Sequence, residues 1–245
     1  MLEIHAVTTL RGAANLVFTG AFTATYASYA MAKYAVTRDR DGFRENERVW
    51  ASVLAKAWGM EVVRFGGDDL DEGPCIFVAN HQSQVDIIAL LVALPRVPGF
   101  LAKKELRNVP VFGKAMEMGG HVFVDRSKNK RALAAVEDAA RTIRDGASVV
   151  VFPEGTRSAE PIVRPFKTGS FHLAIAANVP VVPIGIRGTR DILPKHSKTV
   201  VAGRAEVHIG RPISPAAFKD GDASALMDRV RNEVGVLSEL PLAQP

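Results

Sequence analysis

The stretch VANHQSQVDII, Val78–Ile88, turns from an apolar run into a second apolar segment by way of Asn80, His81, Ser83 and Asp86. The apolar run before it, CIFVA, is short and unbroken, as in a strand buried on both faces. The segment after it, from about Gln84 to Leu94, has helical length and stops at Pro95. On one continuous helix His81 and Asp86 would point about 140° apart. They meet only if His81 lies in a loop and Asp86 in the first helical turn, which a strand–loop–helix provides. A carboxylate on one imidazole nitrogen fixes the tautomer and leaves the other nitrogen to take a proton from a hydroxyl. The plainer alternative has Ser83 or Asp86 capping the helix, with His81 simply nearby. On these residues alone both readings stand.

Outward from this stretch, strand and helix patterns alternate. GFLA and HVFV read as further strands, followed by a helix from about Lys130 to Arg144. There Leu133, Val136, Ala140 and Ile143 share one face, and Gly146 supplies the stop. ASVVVF precedes a helix over about Thr168–Ala177. VVPIGI, AEVHIG and a helix over about Ala223–Leu237 complete the pattern. Strands that are continuously apolar belong to a sheet covered on both faces. The expected fold is therefore α/β, with a mostly parallel sheet between helices. Ligands of such sheets bind where the strands end.

The polar clusters fall at those ends. NHQSQVD follows CIFVA, DRSKNK follows HVFV, and PEGTRS follows VVVF. Arg157 is suited to bidentate contact with a phosphate, and Gly155 lets backbone approach a ligand. Arg126 repeats the arrangement, with Asp125 beside it. The plain reading of both is a solvated turn with an ion pair. A third basic cluster, GIRGTR at Gly185–Arg190, reads as a solvated loop, with an extension of the phosphate pocket as the alternative.

The 245 residues carry a formal net charge of +5, and the sequence pI is about 9.5. Such an excess suits anionic small molecules or anionic lipid surfaces. Basic residues without interleaved aromatics or a recognisable motif argue against nucleic acid. The single cysteine, Cys75, excludes an internal disulfide and reads as core. His5, His121, His172, His196 and His208 show no ligand spacing, so no metal is expected. There is no G-x-S-x-G elbow to support an acyl-serine.

The N-terminal region differs in kind. Gly12–Ala32 holds no charged residue but is diluted by glycines, hydroxyls and Asn15, and basic residues flank both ends. A segment dipping into one leaflet is favoured over a full span or a soluble core helix. A second helix is expected over about Glu45–Met60, where Trp50, Val53, Leu54 and Trp58 make an apolar stripe. The expected division is a membrane-associated helical hairpin over residues 1–62 and an α/β domain over residues 63–245.

Taken together, NHQSQVD, GHVFVDR, FPEGTRS and VPVVPIGI resemble the four successive motifs of the glycerolipid acyltransferases, nearest to the 1-acylglycerol-3-phosphate acyltransferases. The resemblance covers roughly Pro74 to Arg211, with the motifs in order. It implies that His81 is the general base of an H-x4-D pair and that Asp86 orients it. It further implies that Arg126 binds phosphate, with Gly120 and Phe123 shaping its motif. Glu154, Gly155, Thr156 and Arg157 would bind the acceptor, Lys104 would add a phosphate contact, and Pro183 would be structural or line the acyl site. The implied acceptor is lysophosphatidic acid, and the product is phosphatidic acid. The donor would be acyl-CoA or acyl carrier protein, as co-substrate and with no cofactor. The implied place is the cytoplasmic face of the cell membrane, held peripherally or monotopically. Glycerol 3-phosphate, an ornithine lipid precursor, or a silent lipid-binding role are the alternatives.

Overall fold

The computed structural model describes residues 2–124, 131–218 and 222–244. Its centre is the run Ile76–Ala79 (β2), in which all four residues are buried. Alternation along the strand sends Ile76 and Val78 to one face and Phe77 and Ala79 to the other. A strand apolar on both sides needs a helical layer on both sides, and it has one.

Around β2 lie Met60–Phe65 (β1), Gly99–Lys103 (β3), Val122–Val124 (β4), Val149–Val151 (β5), Val181–Arg187 (β6) and Gly203–Ile209 (β7). They form one seven-stranded sheet in the order β1-β7-β6-β2-β5-β3-β4. All pairings are parallel except β6 with β7. The expected mostly parallel α/β architecture is what the chain adopts.

The helices are Leu2–Thr37 (α1), Arg40–Ala57 (α2), Asp86–Ala93 (α3), Phe112–Met118 (α4), Arg131–Arg144 (α5), Gly169–Ala177 (α6), Thr189–Ile192 (α7) and Ala223–Ser238 (α8). Leu54 of α2 and Leu90 of α3 pack with Phe77, Val150 and Ile184 on one face. Ile143 of α5, Phe171 of α6 and Val230 of α8 pack with Ile76, Val149 and Val181 on the other. α3 ends at Leu94, whose ψ of 141° is the extended conformation that a following proline imposes. At Gly185 the backbone of α8 comes so close to β6 that a Cβ would lie 2.2 Å from the carbonyl carbon of Leu237.

α1 and α2 form the expected helical hairpin. Trp50 Nε1 donates to Thr23 Oγ1 at 3.1 Å, and Tyr26 Oη donates to Asn46 Oδ1 at 3.3 Å. No helix among the described residues is long and apolar enough to cross a membrane. The second helix stops earlier than the stripe to Trp58 implies. Gly59 takes φ +66°, and Met60 begins β1, which runs parallel to β7 from Met60–Gly203 to Phe65–His208. Residue 62, the expected domain division, thus lies inside a strand of the sheet.

Candidate active site

β2 delivers Asn80 and His81 to the edge of the sheet where the parallel strands end. Asn80 is fully buried; its Nδ2 donates to Ile186 O at 2.9 Å and its Oδ1 accepts from Ile186 N at 2.7 Å. The side chain thereby adds one more rung between β2 and β6. His81 follows in a loop and Asp86 is the first residue of α3, so the two side chains can turn toward each other. His81 Nδ1 lies 2.8 Å from Asp86 Oδ2.

The same Oδ2 accepts the backbone N–H of Gln82 at 2.8 Å and of Ser83 at 2.9 Å. Asp86 is wholly buried. Two backbone N–H groups already donate to this oxygen, so it stands toward His81 as an acceptor. An ionised Asp86 can only accept, so His81 Nδ1 carries the proton and Nε2 presents a lone pair. Nε2 has no hydrogen-bond partner among the described residues. Phe152 stacks on the imidazole at 4.0 Å between centroids and 17° between planes, which limits its rotation. Ser83, the rival candidate for a helix cap, donates its hydroxyl to Leu193 O at 2.6 Å and accepts the Val85 N–H at 3.3 Å, one residue before α3 begins.

The loop after β5 grips the His81 loop from the other side. Glu154 Oε1 accepts the backbone N–H of His81 at 2.7 Å, and His81 O accepts from Ser158 N at 2.8 Å. Glu154 Oε2 accepts from Arg164 N at 3.3 Å. Burial pushes the Glu154 carboxyl up to about 7, with the Asp86 charge adding to the rise and the two backbone donors opposing it. Both of its oxygens are thus engaged by backbone amides.

His81 opens onto a cavity of about 450 Å³. Ala27 and Ala30 of α1, Trp50 of α2, Ile87 and Leu91 of α3, and Phe112 and Met116 of α4 give it apolar walls. Gly155, Thr156 and Arg157 line the same space at the His81 end of the chain's polar loops. Gly155 has φ +74°, a conformation that suits glycine. Arg157 forms no ion pair among the described residues.

The structure therefore gathers His81, Asp86, Glu154, Gly155, Thr156 and Arg157 into one region. Lys104 begins the short 3₁₀ turn Lys104–Asn108 after β3 and is exposed. Gly120, at φ +80°, precedes β4 and packs near the Arg44 guanidinium, where a Cβ would lie 2.8 Å from Nη2. Phe123 sits half-buried in β4; neither it nor Gly120 lines the cavity. Arg126 and Asp125 lie outside the described residues. Pro183 lies in β6, paired with Val78.

Several participants carry no signal in the sequence pattern. Phe152 reads as the last residue of an apolar run, and Asn80 as a loop polar. His121 lines the cavity as well. Its Nδ1 accepts from Phe100 N at 3.0 Å, and its Nε2 lies 3.0 Å from Glu47 Oε1.

A family model described as Acyltransferase matches residues 61–187, more than half of the chain. The chain belongs to the acyltransferase family. Among curated members, the 1-acyl-sn-glycerol-3-phosphate acyltransferase alpha of Ovis aries is 36% identical over 162 residues, covering 66% of this chain and 56% of that protein. The 1-acyl-sn-glycerol-3-phosphate acyltransferase of Saccharomyces cerevisiae is 32% identical over 197 residues, covering 79% and 65%. This acyltransferase chain thus spans little more than half the length of its mammalian relatives. The crystal structure of the 1-acyl-sn-glycerophosphate (LPA) acyltransferase PlsC from Thermotoga maritima superposes with a TM-score of 0.82 at 26% identity, covering 98% of each chain.

Proposed function

We propose that the chain transfers a fatty acyl group from acyl-coenzyme A or acyl carrier protein to the free hydroxyl of 1-acyl-sn-glycerol 3-phosphate, giving phosphatidic acid. The observation that carries this reading is the His81–Asp86 pair at 2.8 Å, set at an apolar cavity of about 450 Å³ that Arg157 also lines. The activities for which the sheep, yeast and Thermotoga proteins are named support the same assignment.

His81 Nε2 takes the proton of the acceptor hydroxyl as its oxygen attacks the thioester carbonyl. The tetrahedral adduct collapses, the carbon–sulfur bond breaks, and the thiolate leaves with the proton that His81 returns. Asp86 stays ionised and balances the transient imidazolium. General-base assistance of this kind contributes about 10²- to 10⁴-fold, so positioning and charge stabilisation supply the rest. The apolar walls suit an acyl chain. Arg157 is assigned to the acceptor phosphate on its cation and place; Lys104 and Arg126 are assigned to it from their motifs. Glu154 acts through the backbone of His81 and Arg164, and so positions the base. The work is placed at the cytoplasmic face of the cell membrane, with the protein held peripherally or monotopically.

The test is thiol release from acyl-coenzyme A or acyl carrier protein by the purified protein, with and without lysophosphatidic acid. Acceptor-dependent release is expected, and His81→Ala abolishes it while lysolipid binding persists. Silence with both donors, or near-normal turnover by His81→Ala, overturns the proposal.

A further inference from the structure

Between the Lys104–Asn108 turn and α4 the chain makes an uncommon tip. Phe112 N donates to Pro110 O at 2.6 Å, and Val111 has φ 63° and ψ −55°. This is a three-residue γ-turn of the positive-φ kind, rare for any side chain and worse for a β-branched one. The tip does not bury what it strains to present. Val109 is 42% exposed and Val111 38%.

The tip is also held closed. Gly113 N donates to Val109 O at 2.8 Å, and Ala115 N to Val111 O at 2.9 Å. A Cβ on Gly113 would lie 2.2 Å from Arg107 O, so only glycine lets the two limbs approach. The valines are therefore displayed by a fixed frame. Leu106 and Phe112, which bracket the tip in sequence, both line the cavity beside His81. Exposed Lys104, Arg107 and Lys114 stand along this segment with Glu105 and Glu117, and Arg107 and Lys114 share the one carboxylate of Glu117, which leaves the segment basic.

Backbone strain spent on exposing two valines gives the isolated protein nothing in water. It gains a return when the apolar tip enters a lipid surface whose anionic headgroups meet Lys104, Arg107 and Lys114. We infer that the Val109–Pro110–Val111 turn docks the protein on an anionic bilayer, placing the Leu106–Phe112 side of the cavity at the lipid surface. The inference rests on the reading that this cavity takes a lipid.

The experiment labels Val109→Cys with an environment-sensitive fluorophore; the native Cys75 is buried and stays unlabelled. A control label goes at exposed Asp145, before β5 and so at the opposite edge of the parallel strands. With vesicles of phosphatidylcholine and phosphatidylglycerol, the label at 109 shifts to the blue and is quenched by nitroxides on the acyl chains, while the label at 145 is unchanged. The double variant Val109→Asp, Val111→Asp lowers vesicle partition by about tenfold or more. Val111→Gly relieves the turn, raises the melting temperature and still weakens partition. A silent label at 109 on vesicle-bound protein, or partition unchanged in both variants, overturns the inference. So does the same blue shift produced by an acidic carrier protein without vesicles. None of these readouts needs turnover, so insertion of the label without acyl transfer would sink the proposed reaction alone.

Discussion

Replacing Glu154 with glutamine gives a stability change whose sign depends on pH. The carboxyl is buried, and its midpoint moves from 4.5 to about 7. Below about pH 4.5 the group is protonated folded and unfolded, and contributes no pH dependence. Between there and about 7 the unfolded chain ionises while the folded one holds its proton, so stability falls as pH rises. Above about 7 the loss is complete, at about 3 kcal/mol. Glutamine does not ionise and removes this loss. Its oxygen still accepts the His81 N–H that Oε1 holds at 2.7 Å, but its amide nitrogen cannot accept from Arg164 N, now 3.3 Å from Oε2. That missing bond costs about 1 kcal/mol. Glu154→Gln should therefore be about 1 kcal/mol less stable near pH 4, about equal near pH 5, and about 2 kcal/mol more stable near pH 8.5. In a chain of this size that is about 2–4 °C per kcal/mol in melting temperature. Thermal unfolding of both proteins from pH 4 to 8.5, followed by circular dichroism, reads it directly. The same difference at every pH would refute the buried, proton-holding Glu154.

Three further changes follow from the geometry. Asp86→Asn keeps the shape of the loop but no longer favours the Nδ1–H tautomer, so kcat should fall by about 10²- to 10⁴-fold with the acceptor KM little changed; an unaltered kcat removes Asp86 from the mechanism. Arg157→Ala should raise the acceptor KM by about 10- to 100-fold, the worth of a charged hydrogen bond, in steady-state assays; an unchanged KM moves the phosphate elsewhere. Gly185→Ala puts a methyl 2.2 Å from the Leu237 carbonyl carbon and forces α8 off β6. It should cost about 1–3 kcal/mol, seen as a lower melting temperature.

What the sequence made legible is what short-range pattern controls. CIFVA had to be a buried strand because it offers no polar face, and Pro95 had to end the helix behind it. Those two facts place His81 in a loop and Asp86 in a first turn, and the dyad follows. The walls of the cavity were not legible, because α1, α2 and α4 come together only through tertiary packing. The Trp50-to-Trp58 stripe ran the predicted second helix to Met60, whereas a positive φ at Gly59 ends it and starts an edge strand. Glu154 read as a ligand-facing carboxylate, since nothing local shows that two amides, 73 and 10 residues away, claim its oxygens. The phosphate role of Arg126 falls outside the described residues.

The side chain of Asn80 reproduces a peptide group facing Ile186, giving and taking one hydrogen bond as a strand residue would. The imidazole one residue later is thus fastened to the central strands of the sheet, although it sits in a loop. Leu54 of α2, whose helix walls the cavity, packs in the same core as Phe77 and Ile184, so that wall and the strand behind the imidazole belong to one packed unit.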